Sequence, residues 1–214
     1  MCGRFYVAEK DLDDFAALVN QVEKHLLKKA GEIFPGDYAP VITPGKNHET
    51  GLEEGDRPDQ VHALKWGFPS KSGKLIINAR SETIAEKPMF RLPFERRRCL
   101  IPARGFFEWK DSETGKKRVK FYIAPPDSSL IFLAGIYWFF NDNSGNLIPC
   151  FTIITTQANE DIRPLHDRMP VVIDRENKDT WLYGDHRSES VRGLMLPARA
   201  GLLLPSLAEK VDQS

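Results

Sequence analysis

The sequence predicts a mixed α+β domain, a largely antiparallel, barrel-like β core flanked by helices, with residues 1–214 forming one unit. Three observations lead there. Runs rich in β-branched and aromatic residues dominate the middle of the chain, bounded by turn residues. The helical patterns that interrupt them follow no regular βαβ alternation and no internal repeat. At 214 residues, with 41% hydrophobic residues, thirteen Phe and four Trp, the chain can fill one well-packed core.

The elements follow in order. Leu12, Phe15, Val19, Val22 and Leu26 recur at three- and four-residue steps among Lys, Asp and Glu, which predicts an amphipathic helix ending near Gly31. From Glu32 to Pro58 the text turns to Pro35, Gly36, Pro40, Pro44 and Gly45 and then to acidic residues, which predicts a surface course. Strands are expected at Val61–Phe68, Lys74–Ala79, Arg98–Lys110, Arg118–Ala124, Leu130–Phe140, Ile148–Thr156 and Met169–Ile173. Turns fall at Glu113-Thr114-Gly115 and Asn143-Ser144-Gly145. Short helices are expected at Ser81–Phe90, Asn177–Tyr183, Ser188–Leu196 and Pro205–Val211.

Composition narrows the function. Thirty basic and thirty acidic residues cancel, so any nucleic-acid binding must come from a local patch rather than an overall field. The three cysteines, Cys2, Cys99 and Cys150, are odd in number, far apart and without a CxxC pair, which argues against a disulfide framework and a structural zinc. No metal and no cofactor are therefore expected, and a reducing, cytoplasmic compartment is. The first residues carry Arg4, Glu9 and Lys10 without an apolar run, and no segment approaches about 20 uninterrupted apolar residues, so neither secretion nor a membrane span is expected.

The chemistry concentrates at the start of the chain. In Met1-Cys2-Gly3-Arg4-Phe5, removal of Met1 would leave one residue carrying both an α-amine and a β-thiol. Their reference pKa values, about 7.7–8.0 and about 8.5, give each a reactive fraction near neutral pH. An aldehyde meeting such a pair forms an imine with the amine, and the thiol can close a five-membered thiazolidine. A cysteine that merely follows the start codon explains the same two letters.

Polar residues also sit inside otherwise apolar strand text, where burial is costly without a partner or a task. They occur in Lys65-Trp66-Gly67-Phe68-Pro69, in Asn78-Ala79-Arg80-Ser81-Glu82-Thr83, in the run Arg98 to Trp109 that contains Gly105-Phe106-Phe107-Glu108-Trp109, and in Leu165-His166-Asp167-Arg168-Met169-Pro170. Together with Cys2-Gly3-Arg4 these resemble, in order from Cys2 to about Ile173, the SRAP family of abasic-site processing proteins, once described as SOS-response-associated peptidases.

That resemblance implies a compact domain with a β-barrel-like core and a DNA groove converging on the processed N-terminus. It implies covalent capture of an abasic site in single-stranded DNA as a thiazolidine cross-link through Cys2, with lyase and self-processing peptidase activity alongside. Single-stranded DNA containing abasic sites is then the partner, and the protein is expected to act as a monomer, off the membrane and near the nucleoid in a bacterial host.

Residue roles follow on the matching positions. Asn78, otherwise a turn residue, would orient the Cys2 amine, since an amide offers both donors and an acceptor. Glu108, set between Phe107 and Trp109, would protonate the sugar ring oxygen, although strand alternation alone also allows a solvent-facing carboxylate. His166, bracketed by Pro164 and Pro170, would be a second proton shuttle, its alternative being a bond within its own loop. Arg4, Arg80 and Arg168 would contact phosphate, though Arg80 could instead pair with Glu82. Trp66 and Trp109 would stack on bases, and Thr155 would orient sugar or phosphate. Pro40 would lie near the groove, where Tyr38-Ala39-Pro40 lacks the Asn often found in the family. Cys99 and Cys150, in apolar text, read as buried spacers.

Two rivals stay open. Class II glutamine amidotransferases also begin Met-Cys-Gly and use the freed amine as base for the thiol, but usually continue with an apolar residue where Arg4 stands. A non-catalytic single-strand binder would need the arginines and tryptophans and not Cys2.

Overall fold

The computed structural model describes residues 2–18, 24–28, 30–45, 59–112 and 117–208. Strand β1 (Arg4–Val7) leads into helix α1 (Glu9–Leu18), followed by β2 (Gly31–Ile33), β3 (Tyr38–Thr43) and β4 (Gln60–Trp66). Three short strands, β5 (Phe68–Pro69), β6 (Leu75–Ile76) and β7 (Asn78–Arg80), precede helix α2 (Pro88–Arg96). Then come β8 (Arg98–Ala103), β9 (Gly105–Asp111), β10 (Arg118–Ala124), β11 (Ile131–Asn141) and β12 (Leu147–Gln157). The described chain ends with β13 (Arg168–Pro170), β14 (Val172–Ile173), helices α3 (Lys178–Tyr183) and α4 (Glu189–Gly193), and β15 (Leu204–Leu207).

Five of these strands close on themselves. β12 pairs β4, β4 pairs β3, β3 pairs β8, β8 pairs β11, and β11 returns to β12, a ring that is antiparallel at every contact except β12–β4. Closure removes the unpaired edges an open sheet would carry. A second sheet, ordered β15-β10-β9-β1-β2, is antiparallel throughout.

Strand side chains alternate between faces, so the ring wall serves two cores. Val41, Leu64, Cys99, Leu133 and Ile153 join Phe5, Phe106 and Ile123 of the second sheet. Their neighbours Ile42, Ala63, Leu100, Ala134 and Ile154 join Phe94 of α2 and Trp181 of α3. Each large apolar side chain so buried contributes about 1.5–3 kcal/mol.

The barrel-like α+β expectation is met, with four corrections. Tyr38–Thr43 is not a surface course but a buried ring strand, whose apolar residues lie between β4 and β8. The expected strand Arg98–Lys110 is two strands broken at Arg104, which leaves the ladder and is held by Asp11 through Nε at 2.5 Å and Nη2 at 2.7 Å. Pro205, placed in a helix by the sequence pattern, lies in β15, where Leu204 to Leu207 complete the edge beside β10. The helix expected at Ser81–Phe90 is one 3₁₀ turn, Ser81–Thr83, with the α-helix starting only at Pro88. Val19, Val22, the acidic stretch 46–58 and the turn Glu113-Thr114-Gly115 lie outside the described residues.

Candidate active site

The site forms where the second sheet meets the ring. Cys2 lies two residues before the start of β1, whose ladder with β9 pairs Arg4 with Phe107, so Glu108 lies one step beyond the last pair. β7 reaches the same place from the other side, running parallel to β12 with Asn78 opposite Ile153. Gly67 makes this return possible: its φ of +112° favours glycine, and a Cβ there would come within 2.8 Å of Leu75 Cβ.

Across the junction Asn78 Nδ2 donates to the Cys2 carbonyl at 3.0 Å, and among the described residues the buried Asn78 Oδ1 has no hydrogen-bond partner. Cys2 is fully buried, and its thiol donates to Arg4 O at 3.6 Å. Burial pushes that thiol far above its ordinary range, and the nearby Glu108 carboxylate pushes it further. Glu108 is itself buried, only 3% exposed. A short-range cluster thus joins the backbone of Cys2, an amide with an idle acceptor, and an acidic group shielded from water.

Trp66 explains why these parts stay aligned. Its indole N–H donates to Ile77 O at 3.1 Å, one residue before Asn78. Its ring stacks on Phe151 at 6.2 Å and meets the edge of Phe5 at 5.0 Å. It has no exposed surface, so the base-stacking role expected for it is corrected to that of an internal brace.

The remaining expected residues divide. Arg80 is exposed on β7, and Trp109 is half-buried under the Arg4 guanidinium, 4.8 Å from the ring centroid. Arg4 also donates to Glu32 Oε2 at 3.1 Å. Pro40 is buried within β3, paired with Ala63, and is therefore corrected from groove residue to barrel wall. Thr155 is 1% exposed with its hydroxyl donating to Ala79 O at 3.5 Å, which leaves it no surface for sugar or phosphate.

Arg168 is also corrected. Its Nη1 and Nη2 donate to Glu82 Oε1 and Oε2 at 2.6 and 2.8 Å, and Nη2 reaches Thr155 O at 2.7 Å. Only 8% exposed, it is an internal clamp rather than a phosphate fork. Glu82 is thus the partner of Arg168; Arg80 acts on it only through its charge. Glu82 stood in the Asn78–Thr83 motif, but spacing along the chain gives no signal for a partner 86 residues away.

The clamp reaches His166 through the backbone. Arg168 N–H donates to His166 Nδ1 at 2.9 Å, which places the neutral ring's proton on Nε2. Asp167 Oδ1 lies 2.7 Å from the same Nδ1 and can hold the ring when it is protonated; at 83% exposed, its side chain makes that pair weak.

The family comparison decides the lineage. The SOS response associated peptidase (SRAP) family pattern matches residues 1–213. This chain belongs to the SRAP family. The abasic site processing protein YobE of Bacillus subtilis is 34% identical over 204 residues, covering 92% of this chain and 89% of YobE. The abasic site processing protein YedK of Escherichia coli is 31% identical over 188 residues, covering 85% of this chain and 79% of YedK. Among solved structures, a protein of Bacteroides thetaiotaomicron superposes with a TM-score of 0.77 at 24% identity, covering 96% of this chain and 91% of that one, so the two share a fold. Among the described residues no helix is long and apolar enough to cross a membrane.

Proposed function

We propose that this SRAP protein processes abasic sites in single-stranded DNA, capturing the ring-opened sugar on Cys2. The observation that carries the reading is the junction itself: Asn78 donates to Cys2 O while its buried Oδ1 waits for a donor. Once Met1 is removed the Cys2 nitrogen becomes an amine, and an idle acceptor beside it can hold one N–H so that the lone pair faces substrate.

The steps balance without a cofactor. Glu108 delivers a proton to the sugar ring oxygen as the C1′–O4′ bond breaks, and the C1′ hydroxyl gives up its proton to become an aldehyde. The Cys2 amine adds to C1′, water leaves, and an imine remains. The sulfur then bonds to the same carbon as the thiol proton passes to nitrogen, closing the thiazolidine. With the thiol held protonated by its burial, the amine attacks first and the sulfur follows. His166 serves release or β-elimination, the lyase side of the same chemistry, and Arg4, Arg80 and Trp109 hold the strand.

Intact mass after mixing the processed protein with an oligonucleotide bearing one abasic site tests this directly. The expected product is a 1:1 adduct lighter than the sum of its parts by one water. An unchanged protein mass, or an equal adduct on undamaged strand, would overturn the reading.

A further inference from the structure

The outer face of the second sheet carries a charged arrangement that the capture chemistry does not use. Glu32 sits on β2, at the sheet edge, with its carboxylate shared between two cations: Arg4 Nη1 at 3.1 Å and Lys120 Nζ. Burial alone would raise this carboxyl, but Lys120 and then Arg4 outweigh it and hold it below its ordinary range. Both cations have further support. The Arg4 guanidinium lies 4.4 Å from the Phe34 centroid and 4.8 Å from that of Trp109, and Lys120 Nζ lies 4.1 Å from the centroid of Phe107. Neither cation depends on Glu32 alone for its place.

We propose that Arg4 and Lys120 form a phosphodiester cradle in which Glu32 is a built-in stand-in for the phosphate. A carboxylate offers two oxygens to two cationic donors, as the non-bridging oxygens of a phosphodiester do. Two positive charges and one negative leave the occupied cradle weakly attractive, so a strand must displace Glu32 to bind. Among the described residues its edge strand pairs with β1 alone, and its side chain is 29% exposed, so it has solvent to swing into. Arg4 lies two residues from Cys2, so the cradle holds the strand beside the capture site and makes undamaged DNA easy to release. The inference rests on the proposed function and adds Lys120 and Glu32 to the strand-binding surface.

The test is anisotropy of a labelled, undamaged single strand titrated with wild type, Glu32→Gln, Lys120→Ala and the double variant over a range of KCl concentrations. Glu32→Gln keeps the shape and removes the competing charge. It should bind about 3- to 10-fold tighter with an unchanged log–log salt slope, because the same phosphate is neutralised and only the displacement of Glu32 is saved. Lys120→Ala should erase that gain. Equal or weaker binding by Glu32→Gln overturns the cradle, as does a gain that persists in the Lys120→Ala background, which would be a general charge effect. If wild type captures an abasic strand and Glu32→Gln binds no tighter, only the cradle falls. If wild type neither binds nor captures any strand, the functional reading falls with it.

Discussion

Trp66 shows how much of a site's geometry can depend on a side chain with no exposed surface. Its N–H fixes Ile77 and its ring fixes Phe5, so one residue sets the approach of Asn78 to Cys2. Trp66→Phe keeps much of the packing and loses the bond to Ile77 O. It should slow adduct formation severalfold while leaving affinity for undamaged strand unchanged, read by gel and by anisotropy; a matching loss of affinity would restore the stacking role. Trp66→Ala should cost about 3–5 kcal/mol in urea unfolding, as for other large buried aromatics. Cys2→Ala should abolish the heat-stable adduct and spare non-covalent binding, whereas Cys2→Ser keeps the amine and should give only a reducible imine. Normal capture by a chain with an uncleavable extension before Cys2 would refute the free-amine route.

Among elements, the clamp between the 3₁₀ turn after β7, β12 and β13 is the part the sequence conveyed least. Arg168, Glu82 and Thr155 come from three places in the chain and close over one another, so both Nη atoms of the guanidinium are satisfied internally. Glu82→Ala leaves Arg168 with Thr155 O alone and should cost about 1–3 kcal/mol, moderated because Glu82 is partly exposed. The urea midpoint reads this, and Arg168→Lys should behave similarly because an ammonium cannot form the fork. Strands with long apolar text, such as β10, β11 and β12, were legible to within a residue or so. β3 was not, because Pro40 and Pro44 mimic a loop. Its only β8 pairing is Ile42 with Leu100, so the missing Pro40 N–H is tolerated. The structure brings Cys2, Asn78 and Glu108, each from a separate local motif, to one junction. The burial of Trp66, Pro40, Thr155 and Arg168 was not legible in the sequence, since exposure is decided by which strands the ring brings together.

For the whole molecule, zero formal charge and internal ion pairs set both solution behaviour and reach toward DNA. The Glu82 carboxyl is held below its ordinary range first by hydrogen bonds from Arg168, and Glu32 is also lowered, so each favours the folded state most when ionised. That stability is present above the unfolded glutamate value of about 4.3 and is lost as pH falls through the lower folded values. The urea midpoint should therefore drop on acidification below about pH 4.5, and Glu82→Gln should flatten the drop from a lower plateau. On the proposed function, with Arg168 internal, the cradle at Arg4 and the exposed Arg80 would hold one phosphate each, so the wild-type salt slope should be near −1.4, at about −0.7 per phosphate. The closed sheet also sets a schedule. β1 can pair with β2 early, but its other edge stays open until β9, ending at Asp111, has left the ribosome, and in the completed fold Cys2 is buried. At about 5–20 residues per second, roughly five to twenty seconds of synthesis separate the emergence of the first residues from that moment. On the proposed free-amine route, this interval is when Met1 is easiest to remove, and the competence of a molecule to react with damaged DNA would be set in large part during its own translation.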